Sequence, residues 1–490
     1  MAKNTRIPAY VTLIVAFFFA AGPAAEARVI QAPREADEEW EMPKKVRKTM
    51  AVDPVWEGVR GRMTDLSEPL TLTRLVDIAL SNNPSTRQAW EEARAQDAAA
   101  TQSNSAWYPK GTLKFNSDYQ RTVANKRIDT LNQFAYGPGA EVTWLLLDFG
   151  GRSGSDMEAR QTLLASNFLF NQSIQDVLLD TEKAYYDLYS ARSSVEAAKS
   201  DVEDANATYI AAQEKFNVGL VTRLDVLQAK SSYENAQFNL EDARANLEDA
   251  RANLANVIGL PADTPFDIVE PEGEIPSGMT GGDVTVMIEE ALKKRPDIAA
   301  ARADLKAKEG AVKAANSDLW PTLTASGSAD YNWYHDYGSL KRTVSIYNVH
   351  IKEDYTYGGG LQASWDIFDG FDNLFKKRQA QREMAAERQK LIQAELEASA
   401  DVWSKYYSLK TSEKKYVFSE AFLDSAKESH ELASEGYKAG LKSILDLLQS
   451  QSQLSQARSK YISARNDLFV SLVELLHATG SLHVRERQGG

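Results

Sequence analysis

Two copies of one long sequence pattern make up most of the chain, and this duplication limits the possible folds more than any other feature. Pro109 recurs as Pro321, and Trp144 recurs as Trp365. The offset between the two copies is larger for the tryptophans than for the prolines, because the second copy has nine additional residues between Pro321 and Trp365. By contrast, the separation from Trp144 to Asp225 is the same as that from Trp365 to Asp446. A repeat of this length predicts a doubled architectural unit rather than a solenoid of short modules.

The two spacings predict different roles for the two parts of each copy. A part that accepts nine more residues is typical of a surface loop, because loops change length freely. The part that is held to one length predicts two rods that must end at the same level.

The N-terminus has the layout of a secretory signal peptide. Basic residues precede an apolar run over residues 7–21, and an Ala-Glu-Ala sequence at residues 25–27 supplies a cleavage site. We predict that residues 1–27 are removed on export and that residues 28–66 form a charged lead-in. The alternative, a membrane anchor, is disfavoured because the run is short for a bilayer span and contains Pro8.

Composition excludes several classes of function. The chain has no cysteine, so it uses no disulfide, thiolate metal site or lipid-modified N-terminal cysteine. Its formal net charge is −13, and no basic stripe is present to neutralise phosphates, which argues against nucleic acid as a partner.

No catalytic centre, cofactor or metal site is predicted. The sequence contains no glycine-rich phosphate loop, no nucleophile elbow and no pair of carboxylates that can be assigned to catalysis. The five histidines lack the spacing of metal ligands: His335, His350, His430, His477 and His483.

The mature chain divides into two repeats joined by a linker. Repeat 1 covers residues 67–260, a linker rich in proline and glycine covers 261–282, repeat 2 covers 283–480, and a short tail covers 481–490. Each repeat begins with a short helix and an Ala-rich helix, which the sequence predicts over residues 72–81, 85–106, 284–294 and 297–318.

After Pro109 and Pro321 the periodicity changes from helical to alternating. Polar residues alternate with small, apolar or aromatic ones on both sides of a variable loop, which predicts two long amphipathic strands in each repeat. Such strands with aromatic ends suit a transmembrane β-barrel, although soluble hairpins on a β-sandwich remain an alternative. Four strands cannot close a barrel, and an open edge cannot lie in lipid. If the strands cross a membrane, several chains must contribute to one barrel.

A glycine-containing corner follows each hairpin and leads into a very long helix. Residues 155–216 contain no proline or glycine, so a continuous helix there would span roughly 90 Å. Breaks at residues 217–219 and 438–440 reverse the chain into a second helix. In repeat 1 this returning helix contains a duplicated heptad beginning at Leu240 and Leu247, which is typical of a coiled coil.

Taken together, these residues resemble the outer-membrane factors of the TolC type. The resemblance covers about residues 70–480, and it rests on the doubled order of helix, hairpin and long helical hairpin. It also rests on the Ala-Leu…Asn-Pro opening at residues 79–84 and on the two Gly-Leu turns at residues 219–228 and 440–449. The fold class it implies is a mixed α/β membrane protein, in which a homotrimer shares one barrel with four strands per chain. A long α-helical coiled-coil tunnel continues that barrel through the periplasm.

The resemblance implies a function, partners and a location. The function is an outer-membrane exit channel of a tripartite efflux pump or type I secretion system, a passive conduit without chemistry of its own. The partners are two further copies of the chain, a periplasmic adaptor, an inner-membrane pump of the RND or ABC type, and outer-membrane lipid. The alternatives are a periplasmic coiled-coil adaptor or scaffold, and an outer-membrane receptor or adhesin whose function lies at residues 335–352 of the variable loop at 334–354.

The resemblance also assigns roles to residues at the periplasmic tip. Asp446 would form an acidic ring in the pore constriction, and the second ring position of the family falls on Gln449, which predicts a weaker charge filter. A lock between hairpins would involve Asp225, Tyr437 and Lys442. The tip turns lie at Gly219 and Gly440. The alternative for Asp446 and Asp225 is N-terminal capping of a helix after a turn, and both roles can hold together.

Overall fold

A computed structural model describes residues 68–123, 130–271, 282–336 and 353–482. The predicted signal peptide, the lead-in at 28–66, residues 272–281 of the linker, most of the variable loop and nearly all of the C-terminal tail lie outside these described residues.

The described elements follow one order twice. In the first copy, α1 (Leu72–Asn82) and α2 (Pro84–Ser103) precede β1 (Lys110–Val123), β2 (Thr130–Leu147), α3 (Gly151–Asn217) and α4 (Arg223–Val257). In the second copy, α5 (Val284–Lys294) and α6 (Pro296–Ser317) precede β3 (Thr322–Asp336), β4 (Glu353–Ser364), α7 (Asp372–Lys438) and α8 (Ile444–Ala478). We call α3–α4 hairpin 1 and α7–α8 hairpin 2. A short 3-10 helix, Asn104–Trp107, ends α2 earlier than the sequence suggested.

The two hairpins have equal arms. Helices α3 and α7 each contain 67 residues, and α4 and α8 each contain 35. A helix of 67 residues is about 100 Å long. These helices can be this long because they contain no proline, and their few glycines lie in the first or last turn of α3 and α7. The prediction of two rods that end at one level is confirmed.

A sharp corner connects each returning strand to its long helix. Gly150 and Gly370 have positive φ angles of 105° and 72°, a conformation that glycine adopts without strain. The carboxylate of Asp148 accepts a hydrogen bond from the backbone N–H of Arg152 at 2.5 Å, and Asp369 accepts from Asn373 at 2.9 Å. Each aspartate therefore caps the N-terminus of the helix that follows it.

The residue before each helix-starting proline ties that helix to the end of the neighbouring hairpin. The side chain of Asn83 donates to the carbonyl oxygen of Val257 at 2.8 Å. At the equivalent place, Arg295 donates to the carbonyl oxygen of Ala478 at 3.2 Å, and it also donates to Asp401 at 2.9 Å. The same joint is thus built twice from different side chains.

The four strands form one antiparallel sheet in the order β1-β2-β3-β4. Its register places Leu113 opposite Ala140, Ala140 opposite Ala329, and Ala329 opposite Tyr357. Because side chains alternate between the faces of a sheet, these small, apolar and aromatic residues share one face. The predicted alternation is confirmed.

The other face of the sheet is polar. There the ammonium group of Lys114 lies 3.5 Å from a carboxylate oxygen of Glu141 and 3.6 Å from one of Asp330. Among the described strands, β1 and β4 each have a neighbour on one side only. The sheet therefore has two unpaired edges that further strands can join.

The largest buried cluster lies where α1 packs against the base of hairpin 1. Leu75, Leu254 and Ile258 have no exposed surface, and Tyr185 is almost fully buried beside them. The hydroxyl group of Tyr185 donates to the carbonyl oxygen of Val269 at 2.8 Å, so the chain leaving hairpin 1 is held against α3. Of the described helices, none combines the length and apolar character required of a bilayer-spanning helix.

Candidate functional site at the tips of the hairpins

Both hairpins reverse direction through the same turn. Gly219 and Gly440 each have a φ angle of 77°, and the next N–H closes the turn onto the preceding helix. Leu220 N donates to Lys215 O at 2.8 Å, and Leu441 N donates to Gly436 O at 2.7 Å. A Cβ atom at either turn glycine would meet no atom within 4 Å. The left-handed backbone, rather than crowding, is therefore the reason for glycine at both turns.

A capping box starts each returning helix. The Ser443 hydroxyl group and backbone N–H donate to Asp446 Oδ2 at 2.8 and 3.0 Å, and Asp446 N donates back to Ser443 Oγ at 3.2 Å. Thr222 and Asp225 make the same three hydrogen bonds at 2.9, 2.7 and 3.3 Å. The capping alternative considered for these two aspartates is thus present in the structure.

The capping role leaves the charge of Asp446 available. Its carboxylate is exposed, and the hydrogen bonds from the Ser443 side chain and backbone lower the pKa of Asp446, with a further contribution from the charge of Lys442. Gln449 is also exposed and lies one helical turn further along α8. Residues three apart on a helix share a face. Asp446 and Gln449 therefore point to the same side, as a pore-lining pair requires.

Tyr437, at the end of α7, joins the two hairpins by packing. It is 3% exposed and belongs to a cluster with Ala212 and Ala229 of hairpin 1 and Ile444 of hairpin 2. Its hydroxyl group is buried, and no described residue hydrogen-bonds to it. Burial raises the pKa of Tyr437, and the negative charge of Asp225 raises it further. The structure therefore brings Tyr437 and Asp225 near each other without a hydrogen bond between them.

Lys442 lies beside the last turn of α7. A Cβ atom at Gly436 would lie 2.7 Å from Cγ of Lys442, so the lysine stem lies across that glycine. Within the described residues Lys442 forms no ion pair, and its charge acts on Asp446 of the same hairpin. Within the described residues of one chain, no hydrogen bond or ion pair joins Lys442 to Asp225 or Tyr437, so its part in a lock stays a prediction.

A residue that the sequence did not single out supplies the polar contact between hairpins at the tip. The ammonium group of Lys215, in the last turn of α3, donates to the carbonyl oxygen of Tyr437. It also lies 4.0 Å from the centre of the Tyr437 ring, a cation–π distance. The sequence offered one signal for Lys215, a difference between the two copies. Where the first copy has Lys215, the second copy has Gly436.

An exposed apolar surface covers the outer end of both turns. We call it the tip surface, and its members are Val218, Leu220, Leu224, Leu441 and Leu445.

The described residues also contain no group of three or more acidic or histidine side chains that could hold a metal ion.

The fold and the tips define a class of proteins that combines an amphipathic four-stranded sheet with paired helical hairpins of fixed length. The profile of the family described as Outer membrane efflux protein matches residues 75–260 and 287–481. The chain belongs to this family. Its fold class is confirmed as mixed α/β, with one four-stranded antiparallel sheet and long paired α-helical hairpins, as in the solved outer-membrane channels.

Individual relatives agree with this assignment. Protein CyaE of Bordetella pertussis is 25% identical over 446 residues, which are 89% of this chain and 91% of CyaE. The pyoverdine export outer membrane protein OpmQ of Pseudomonas aeruginosa is 25% identical over 387 residues, which are 76% of this chain and 75% of OpmQ. The crystal structure of the Campylobacter jejuni CmeC outer membrane channel has a TM-score of 0.70 at 20% identity, covering 84% of this chain and 85% of CmeC.

Family membership also decides between the functions considered above. The protein is an outer-membrane exit channel that extends into the periplasm, and the predictions of function and location are confirmed at this level. The scaffold and receptor alternatives are not needed to explain the fold.

Proposed function

We propose that this chain forms a trimeric, non-enzymatic exit duct that a periplasmic adaptor and an inner-membrane pump open from the periplasmic side. The equal lengths of the two hairpins, 67 and 35 residues in each, carry this proposal. Helices that must meet at one level to close a pore have to be equally long. A protein that used its hairpins only as spacers would have no such requirement.

We further propose that Asp446 forms the acidic ring of the closed tip, with Gln449 as its neutral neighbour. Three copies of an exposed carboxylate around an axis concentrate negative charge, which favours cations and lets multivalent cations block the pore. Within one chain, the hydrogen bonds from Ser443 lower the pKa of Asp446 and so favour the ionised carboxylate.

The lock that holds the tip closed includes Tyr437, Asp225 and Lys215 in this proposal. Lys215 supplies the polar contact within a chain, while Lys442 remains available for a contact with a neighbouring chain. Because a lysine offers a point charge rather than a bidentate guanidinium group, a contact through Lys442 is looser than an arginine contact.

The tip surface is the proposed docking site of the adaptor. Five exposed apolar side chains on two neighbouring turns are more than a solvated helix end requires. An adaptor with its own helical hairpin can bury them tip to tip. Either an RND or an ABC pump suits such an arrangement. The name of OpmQ connects that relative with export of pyoverdine, a small molecule, and we propose small molecules as one cargo class here.

The test is single-channel conductance of the mature protein in planar bilayers, with KCl as the current carrier and a trivalent cation as blocker. Because Asp446 both caps α8 and carries charge, two variants separate the roles. Asp446→Asn removes the charge and keeps a hydrogen-bond acceptor, whereas Ser443→Ala weakens the cap and keeps the charge. We expect Asp446→Asn to lose the block and Ser443→Ala to retain it.

Two results would count against the proposal. An unchanged block in Asp446→Asn removes Asp446 from the constriction and leaves it as a capping residue only. Absence of any conductance from verified, inserted wild-type protein would argue against the duct itself.

A further inference from the structure

One side chain on α8 makes two ionic contacts with hairpin 1, far from the tip. The guanidinium group of Arg458 donates from Nη1 to Asp201 and, at 3.2 Å, to Oδ2 of Asp204. All three side chains are largely shielded from solvent, with relative exposures of 22%, 18% and 33%. We call this group of three residues the Arg458 clasp. Charge-assisted contacts of this kind are among the stronger hydrogen bonds in proteins.

The Arg458 clasp is the contact nearest the tip in a series that joins α8 to α3. Within the described residues, no hydrogen bond or ion pair connects α8 between Ile444 and Ala457 to α3. Beyond Arg458, polar contacts continue along the same seam: Arg465 to Tyr189 at 3.0 Å, Asn466 to Asp187 at 2.8 Å, Glu474 to Lys183 at 3.1 Å and His477 to Asp176 at 2.8 Å. Arg458 lies about four helical turns after Ile444, a rise of about 21 Å.

The clasp is present on one side of the internal repeat only. The positions equivalent to Asp201 and Asp204 in the second copy hold Phe422 and Ser425, and the position equivalent to Arg458 in the first copy holds Gln237. Gln237 donates within its own helix, to Tyr233 at 2.8 Å. The contact between α3 and α8 inside one chain is therefore held by charge. The equivalent helices of the other copy, α7 and α4, have no charged residue at these three positions.

We propose that the Arg458 clasp is the fixed point of the gate. On the side of the clasp away from the tip, the two hairpins of one chain stay joined. Only the part of hairpin 2 between the clasp and the tip moves when the tip opens. Between the clasp and the tip, α8 is held to α3 by packing alone. At the tip itself, Lys215 and Tyr437 provide the contact that must be released. Arg458 is thus a positioning residue of the gate, and this proposal rests on the proposed function of the chain as a gated duct.

The test compares resting conductance in planar bilayers for the mature wild-type trimer, Arg458→Gln and Asn466→Ala, with KCl as the current carrier. Glutamine is what the first copy carries at this position, so Arg458→Gln keeps a side chain that this helical hairpin accepts. We expect Arg458→Gln to shift the closed-to-open ratio toward open by at least about tenfold. Asn466→Ala removes a contact above the clasp, and we expect it to match wild type.

A covalent tie then distinguishes positioning from a general folding role. Because the chain has no cysteine, the double variant Asp204→Cys/Arg458→Cys can be bridged selectively by a short bis-methanethiosulfonate reagent, which forms a reducible disulfide with each cysteine and releases methanesulfinate. We expect its conductance to be raised before linking, to return to the resting value after linking, and to rise again on reduction.

The inference is overturned if Arg458→Gln conducts like wild type, if Asn466→Ala opens the channel equally, or if linking leaves the double variant open. Failure of the duct itself gives a different result, because inserted wild-type protein is then silent in every experiment.

Discussion

The contact of Lys215 with Tyr437 gives a prediction about the stability of the closed tip proposed above. The ammonium group donates to a carbonyl oxygen in the last turn of α7 and lies 4.0 Å from the aromatic ring centre. A hydrogen bond from a charged group contributes about 1.5–3 kcal/mol when well shielded. A cation–π contact contributes about 0.5–1 kcal/mol when exposed. Because Lys215 is only half-buried, the lower parts of these ranges apply.

Replacing Lys215 by methionine keeps the length and the apolar stem of the side chain and removes both interactions. We expect a loss of about 1–2 kcal/mol per chain, which corresponds to roughly a 5–30-fold rise in the open fraction of each chain's gate. Single-channel recordings of Lys215→Met should therefore show more frequent openings, and Lys215→Arg should remain close to wild type because it retains the charge.

Lys438 is the matched control for this change. It is exposed in the last turn of α7 and forms no hydrogen bond or ion pair within the described residues. Lys438→Met removes the same charge from the same end of the tunnel without breaking a contact. If Lys438→Met and Lys215→Met open the channel equally, general charge at the tip is responsible, and the reasoning from the contact is refuted.

Three further predictions concern the base of the hairpins. A Cβ atom at Gly310 would lie 2.7 Å from the backbone nitrogen of Glu158. Gly310→Ala should therefore reduce the free energy of unfolding by about 1–3 kcal/mol in denaturant titrations. A variant as stable as wild type would show that α6 can shift. Arg295→Ala leaves Asp401 without its partner and should cost about 2–3 kcal/mol in the same assay, with a loss below about 1 kcal/mol as the contrary result. Burial alone would raise the pKa of Asp297, but the hydrogen bonds and charge of Arg295 outweigh burial and lower the pKa. The ionised carboxylate therefore stabilises the fold at pH values above its ordinary pKa of 3.8. This contribution is lost as the pH falls through the lowered pKa. Thermal melts of wild type should therefore decline in this acidic range, and those of Arg295→Gln should decline less.

Much of the fold could be predicted because each signal was local and occurred twice. Alternation after Pro321 predicted the strand that the structure gives as Thr322–Asp336. The stretch without proline or glycine at residues 155–216 predicted the helix that the structure gives as Gly151–Asn217. Element ends were less accurate: the Ala-rich helix was predicted to reach residue 106, but a 3-10 helix begins at Asn104. Tightening of a last helical turn depends on contacts around it rather than on the propensities of its residues.

The contacts of the tip were less accessible, because they depend on which residues of distant helices face each other. Asp446 and Asp225 could be recognised as candidates from their place after a turn, and the capping box follows from Ser or Thr three residues earlier. Lys215 could not be recognised in this way, since its partner is a backbone carbonyl group 222 residues away. Arg458 was missed for the same reason, because its partners on α3 are 254 and 257 residues away.

The places where the two copies differ are more informative than the places where they agree. The agreements, such as the turn glycines, the capping boxes and the arm lengths, are what two equivalent rods require in order to end together. The differences create two kinds of contact between hairpins that are otherwise equivalent. Lys215 against Gly436 and Arg458 against Gln237 both place a cation on a contact within one chain and none at the repeat-related position. A tunnel built from two identical repeats would hold every seam equally and would have no preferred place to open. In the gate proposed above, the contact of Arg458 keeps the hairpins of one chain joined, while the contact of Lys215 is the one that is released when the tip opens.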